Sequence, residues 1–213
     1  MELDTKRDII VVGASAGGVE ALQQLTSGLP ADLPAAIFIV MHLPTWCKSE
    51  LPEIVTRSGG PIALEAQAEQ PFQMGRIYIA PPDHHLLLER DSIRLWRGPK
   101  ENRHRPAINA LFRSAAVAHK NRVIGVILSG ALDDGSAGLW WIKQFGGLAV
   151  VQDPNGARFP SMPRSALEHV DVDYVVGLRD MGPLLATLVG GNHIGQFDPT
   201  FAKETSQWKR RNS

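Results

Sequence analysis

Serine, histidine and aspartate form one hydrolytic repertoire, and this chain sets each of them just past an apolar run. Ser15 follows "IIVV", His42 follows "AIFIVM", and Asp133 and Asp134 follow "VIGVILSG". A serine hydroxyl is a weak nucleophile until a base takes its proton. An imidazole is such a base, and a carboxylate fixes its tautomer and stabilises the imidazolium that forms. The three together would perform acyl transfer. Each alone has a plainer reading. A serine in "GASAGG" suits a helix N-cap, a histidine at a strand end is commonly just hydrogen-bonded there, and "LDDG" is turn-forming because Asp and Gly suit turn backbones. The coincidence at separate strand ends is what points to chemistry.

The same glycine-rich stretch has a second reading. A dinucleotide fingerprint needs G-x-G-x-x-G after a strand, with an acidic residue after the second strand to hold the ribose. Here the frame runs Gly13-Ala14-Ser15-Ala16-Gly17-Gly18. Ser15 stands where the pyrophosphate needs glycine, and His42 stands where the ribose needs an acid. The window also spells G-x-S-x-G, in which flanking glycines relieve crowding at a sharp strand-to-helix turn. Such a turn would put Ser15 near a helix amino terminus, where free N–H groups favour developing negative charge. The chain order Ser, His, Asp differs from the Ser, Asp, His of α/β-hydrolases, so an ordinary α/β-hydrolase is not implied.

These residues meet only if their strands lie side by side. "DIIVV" and "AAIFIVMH" are apolar, β-branched runs of the kind buried on both faces of a parallel sheet. Between them "GGVEALQQLTSGLP" carries Val19, Leu22 and Leu25 at helical spacing and stops at Gly28 and Pro30. "CKSELPEIVTRSGG" reads as a helix with Pro52 in its first turn. The β-α-β-α order implies an α/β fold, a doubly wound, mainly parallel sheet with helices on both faces. "PIALEAQ", "GRIYIAPP", "HLLLER" and "SIRLW" are short strands of a small antiparallel excursion or one sheet edge, the last two a hairpin across Arg90 and Asp91. "RPAINALFRSAAVAHK" is a helix opened by Pro106, with Ile108, Leu111, Phe112 and Ala115 on one face. "NRVIGVILSG", "LAVVQD" and "VDYVVG" are strands, "SAGLWWIKQFGG" a helix, and "MGPLLATLVGG" a last short helix. In open parallel sheets ligands bind at the carboxyl ends of strands, where the three candidates sit.

The bulk composition narrows the function classes. The chain has 213 residues with 22 basic and 22 acidic side chains, a balance that gives no reason to expect nucleic-acid binding or an electrostatic membrane anchor. No apolar run is long enough to span a bilayer, and no signal-peptide core precedes "IIVV", so a cytoplasmic location without direct membrane insertion is expected. The single cysteine, Cys47, excludes an intrachain disulfide and reads as packing rather than as a nucleophile. "DHH" at Asp83–His85 reads as a bend before a strand rather than a metal motif. "ENRHRP", residues 101–106, reads as a solvated loop or as lining of the site, since its charges serve no evident structural end. Residues 1–190 are expected to form the catalytic domain and 191–213 a loosely ordered tail. No metal or other cofactor is expected.

"GASAGG", "VMHLP", "IYIAPPDHHLLL", "ENRHRPAINALFRSAA", "VILSGALDDGSAGL", "VVQDP" and "SMPRSAL", in this order, resemble the catalytic domain of the chemotaxis protein-glutamate methylesterases (the CheB type) from about Asp8 to Leu188. The resemblance implies Ser15 as nucleophile, His42 as general base and acid, and Asp134 rather than Asp133 as the carboxylate, with an oxyanion hole of backbone N–H groups at Ala16 and Ala131. It implies hydrolysis of γ-glutamyl methyl esters on the helical cytoplasmic region of methylated chemoreceptors, with deamidation of receptor glutamine in some members. Where the family often has threonine after the nucleophile this chain has Ala16. "RPAIN" stands for the more usual "RPSVD", so no polar side-chain role is expected at Ala107 or Asn109. Many members carry a preceding receiver domain; this chain opens on the catalytic strand, so control by a fused receiver is not expected. Two other classes stay open on the residues, a nucleotide-binding α/β enzyme and a catalytically silent receptor-binding module.

Overall fold

The computed structural model describes residues 6–42 and 49–190. The expected tail, 191–213, and Cys47 lie outside the described residues. Seven strands form one parallel sheet: β1 (Ile9–Ala14), β2 (Ala36–Met41), β3 (Ile62–Glu65), β5 (Arg76–Ile79), β8 (Val123–Ile127), β9 (Leu148–Gln152) and β10 (Tyr174–Val176), in the order β10-β9-β8-β1-β2-β5-β3. A separate antiparallel sheet holds β4 (Gln70–Pro71), β6 (His85–Leu88) and β7 (Ser92–Trp96) in the order β4-β7-β6.

The expected doubly wound sheet and the small antiparallel excursion are both present, and the four middle runs divide between the two places expected for them, the excursion and one sheet edge. "PIALEAQ" and "GRIYIAPP" supply β3 and β5, which extend the parallel sheet. Short apolar runs carry no mark of strand direction, and β3 is exposed as an edge strand is, with only Ala63 among its residues buried. The hairpin across Arg90 and Asp91 forms as expected, with the Glu89 N–H donating to the Ser92 carbonyl at 3.0 Å.

Helices cover both faces. Alternate residues of the fully buried β1 split between two cores, as a period of two requires. Ile9 and Val11 pack with α3 (Ile108–His119), α4 (Ser136–Gln144), α5 (Ser161–His169) and the antiparallel sheet. Ile10, Val12 and Ala14 pack with α1 (Gly18–Ser27), α2 (Leu51–Thr56) and α6 (Leu178–Gly190). Helix α3 begins two residues after Pro106, because Ala107 is still extended (φ −115°, ψ 139°). The last helix is 13 residues, not a short one, and contains Pro183. Gly182 lets it approach α1: a Cβ there would lie 2.6 Å from the Gly28 carbonyl oxygen. Helix α5, unexpected from the sequence, buries Met162, Pro163, Ala166 and Leu167. No helix among the described residues is long and apolar enough to cross a membrane.

The connection after β1 runs to one side, to β2, while β8 pairs on the other side. This reversal opens a crevice at the carboxyl ends of β8, β1 and β2.

Candidate active site

Strand register decides what meets in that crevice. Ala14 pairs with Met41, and Gly13 pairs with Val40 on one side and Ile127 on the other. Beyond the strands, the His42 N–H donates to the Ala14 carbonyl at 3.2 Å and the Ser15 N–H to the Ser129 carbonyl at 3.0 Å. Ser15, His42 and the loop after β8 are thereby held level.

Ser15 does not cap α1. The N-cap is Gly17, left-handed at φ 69°, a conformation L side chains rarely adopt. Gly13 is needed for space instead: a Cβ there would fall 2.4 Å from Ile108 Cγ2. Freed from capping, Ser15 Oγ lies 3.1 Å from His42 Nδ1, and His42 Nε2 lies 2.9 Å from Asp134 Oδ2. The histidine and aspartate side chains are 7% and 1% exposed, which keeps bulk water from competing for these bonds. Asp133 is exposed and makes no such contact.

Asp134 is met by donors only. Oδ2 also accepts the Ile108 N–H at 2.7 Å, and Oδ1 accepts the Asn109 N–H at 3.2 Å and Asn102 Nδ2 at 3.3 Å. The two amides belong to the first turn of α3, whose free N–H groups suit a carboxylate. Asn109 is 4% exposed, and its Oδ1 accepts the N–H groups of Gly135 and Gly138 at 3.1 and 2.7 Å. Its amide therefore ties α3 to the turn that carries Asp134, a polar role at Asn109 that the sequence did not suggest. Ala107 has no such role.

Near Ser15, two amides are already committed, Ser15 N–H to Ser129 and Gly130 N–H to the Phe159 carbonyl at 2.9 Å. The Ala16 and Ala131 N–H groups donate to no acceptor among the described residues. The buried Ser129 hydroxyl braces this corner, donating to the Ala16 carbonyl at 2.9 Å and accepting the Phe159 N–H at 3.0 Å.

"ENRHRP" lines the site. Its Asn102 reaches Asp134, and the His104 ring stacks on His42 with centroids 3.6 Å apart and planes 4° from parallel. Burial, then the nearby His42, push the His104 pKa below the ordinary imidazole value, against an opposing pull from Asp134. Glu101 accepts two bonds from Arg113 on α3, at 2.8 and 2.9 Å. Asp83, the first residue of "DHH", accepts from Arg105 at 2.8 Å and Arg97 at 2.9 Å, and the Arg105 bond holds its carboxyl below the usual range although burial opposes this. The sequence mark for these residues was a charge-dense loop with no amphipathic pattern; their partners are set by the topology.

Gly130 is the tightest point beside the serine. A Cβ there would stand 2.1 Å from the Sδ of buried Met162 and 2.9 Å from Ser15 Cβ. Gly130→Ala is expected to push Ser15 out of line. A displacement near 1 Å costs on the order of 100-fold in turnover, and overpacking costs ~1–3 kcal/mol in stability. Turnover and thermal unfolding measured on the same preparation check both.

Comparisons with known proteins bear on the family and the fold. The family model described as CheB methylesterase matches residues 10–185. A protein-glutamate methylesterase/protein-glutamine glutaminase of Methanosarcina mazei is 33% identical over 88% of this chain and 53% of its own. A Dechloromonas aromatica protein of the same name is 39% identical over 74% of this chain and 46% of its own. A Leptospira interrogans relative, whose name gives the same two activities provisionally, is 39% identical over 87% of this chain and 96% of its own. The chain thus spans about half of two relatives and nearly all of the third. The crystal structure of the Thermotoga maritima CheB methylesterase catalytic domain superposes with a TM-score of 0.83 at 31% identity, over 85% of this chain and 98% of that one.

Proposed function

The chain belongs to the CheB methylesterase family, and from that premise we propose that Ser15, His42 and Asp134 hydrolyse γ-glutamyl methyl esters in the helical cytoplasmic region of chemoreceptors. It is a protein-glutamate methylesterase. The glutaminase activity in its relatives' names is the same acyl transfer with ammonia in place of methanol as the departing group.

One observation carries the assignment of roles: His42 bridges Ser15 and Asp134 through its two ring nitrogens, at 3.1 and 2.9 Å. Asp134 accepts the Nε2–H, which leaves Nδ1 unprotonated and facing the hydroxyl. Ser15 Oγ attacks the ester carbonyl as Nδ1 takes its proton. The carbonyl oxygen gains the negative charge, and the Ala16 and Ala131 N–H groups are the donors offered to it. The tetrahedral intermediate collapses, the carbon–methoxide bond breaks, and the Nδ1–H protonates the methoxide. Water then attacks the acyl-serine by the same steps in reverse roles, giving a glutamate carboxylate and restoring Ser15.

A dinucleotide has no place in this scheme, because the side chain that replaces the second glycine is the one held by His42. Each charge that develops meets a protein group, so a chelator should not stop the reaction. Methanol release from methylated receptor is expected to persist after dialysis against a strong chelator. Loss of activity restored by zinc or magnesium would count against the serine mechanism.

A further inference from the structure

Two hydrogen bonds hold the His42 nitrogens, and the bond to Cβ sets the plane of the ring about them. Hydrogen bonds tolerate small swings of the ring about χ1 and χ2, and such swings would carry Nδ1 off its line to Ser15. A contact on the ring's face opposes those swings. His104 makes that contact, at 3.6 Å and 4°.

We infer that His104 is a positioning residue, a flat ring clamped against His42 so that the base keeps its plane while its charge rises and falls. The inference rests on the roles proposed above for Ser15 and His42. Neither nitrogen of the His104 ring has a hydrogen-bond partner among the described residues, so the ring is not held there by its own polar atoms. The backbone holds it. Glu101 and His104 exchange N–H···O bonds of 3.1 and 2.9 Å across a two-residue turn. Both central residues of that turn, Asn102 (φ 48°) and Arg103 (φ 69°), are left-handed without being glycine, a conformation that persists only where the surroundings enforce it.

The surroundings do enforce it. Arg113 grips Glu101 from α3, and Arg105 is fixed by Asp83 and by the Gly98 carbonyl. Asn102 ties the tip of the turn to Asp134. The loop is anchored to the same helix and the same carboxylate that hold the base. The π face of a neutral imidazole also attracts the imidazolium formed on His42. Burial and the His42 charge both keep the proton off His104, so the stack stays attractive when His42 is charged.

The test uses the full chain, two readouts and three variants. A small fluorophosphonate reads the reactivity of Ser15 without receptor docking, and methanol release from methylated receptor reads the whole cycle. If the wild type is not labelled at Ser15, the serine reading itself fails, whatever His104 does. With the wild type labelled, His104→Ala and His104→Leu are expected to slow labelling and kcat alike by ~10–100-fold, part of the range general-base catalysis supplies, with KM within about twofold. His104→Leu keeps the bulk and circular dichroism confirms its fold, so it decides the matter if the alanine variant unfolds. His104→Phe restores a flat, uncharged face and should recover both rates to within about threefold of wild type. Unchanged labelling in folded His104→Leu would overturn the inference. So would a fall in receptor turnover alone, which would make His104 a substrate contact, or a His104→Phe variant as slow as His104→Leu, which would make its ring nitrogens the active part.

Discussion

Ser15→Ala should lower methanol release from methylated receptor by several powers of ten, ~10⁴ or more, while the protein folds normally. Removing one member of such a triad costs nearly as much as removing all of it, because the three act as a unit. Folding should survive because the Ser15 hydroxyl makes no structural bond: its hydrogen-bond partner is His42 Nδ1, and the tight turn rests on Gly17, Gly13 and the Ser15 backbone bond to Ser129. The rival nucleophile is the thiol of Cys47, close to His42 in sequence. Nothing in the sequence depresses its pKa decisively. Cys47→Ala is therefore expected to change turnover by less than about tenfold, a margin of ~1.4 kcal/mol in barrier. Circular dichroism and turnover on both variants check the pair. An active Ser15→Ala beside a dead but folded Cys47→Ala would reverse the assignment.

How much of this was legible depended on what each residue's role requires. β1, β2 and β8 were readable because a parallel strand covered on both faces must be apolar throughout, and Ile9–Ala14 is buried at every position. Their ends marked Ser15, His42 and the Asp133–Asp134 pair without any tertiary knowledge. Choosing between the two aspartates needed the family resemblance; in the structure the difference is burial, since Asp134 sits under the α3 amino terminus and Asp133 faces solvent. Helix α5 escaped notice because Pro163, which reads as a breaker, falls in its first turn, where its missing N–H costs nothing. α6 extends three residues upstream of the expected helix: a Gly-Pro pair suits a first turn, yet here Leu178–Asp180 precede it in the helix, and Gly182 is there so that two helices can touch.

The supporting residues were the least legible. Asn109 looks like any polar residue in a helix, and its work depends on Gly135 and Gly138, which lie 26 and 29 residues away in sequence. Ser129 braces a loop 113 residues earlier. Asn102 and His104 sit in a loop whose charges suggested solvation or lining of the site, but not which of its residues reach the triad or how. Local pattern reveals elements and their ends; long-range hydrogen bonds have no local pattern to leave.

Asp134 is where those long-range bonds converge, and Asp134→Asn should show it. Four donors meet the carboxylate: His42 Nε2–H and the Ile108 N–H at Oδ2, the Asn109 N–H and Asn102 Nδ2 at Oδ1. An asparagine has one oxygen for four donors, and its NH₂ must face two of them. If the NH₂ takes the Oδ2 place it confronts the Ile108 N–H across 2.7 Å and invites His42 to turn Nε2 into an acceptor. The ring proton then moves to Nδ1, facing Ser15, and the base can no longer take the serine's proton. If the NH₂ takes the Oδ1 place, the tautomer survives but the negative charge opposite the imidazolium is gone, and two donors are left facing a donor. Turnover should fall ~10³–10⁴-fold, in the range that loss of the carboxylate costs other triads. Unfavourable buried donor contacts should lower stability by ~1–3 kcal/mol, read as a lower denaturant midpoint. Asp133→Asn, one residue away and exposed, should leave turnover within about threefold and stability within ~0.5 kcal/mol. The two variants differ by one position and carry the same change in charge, so a general electrostatic effect would move them together. Equal losses in both would remove Asp134 from its proposed role, and a large loss in Asp134→Asn alone would tie the carboxylate to His42, through its tautomer, its charge or both.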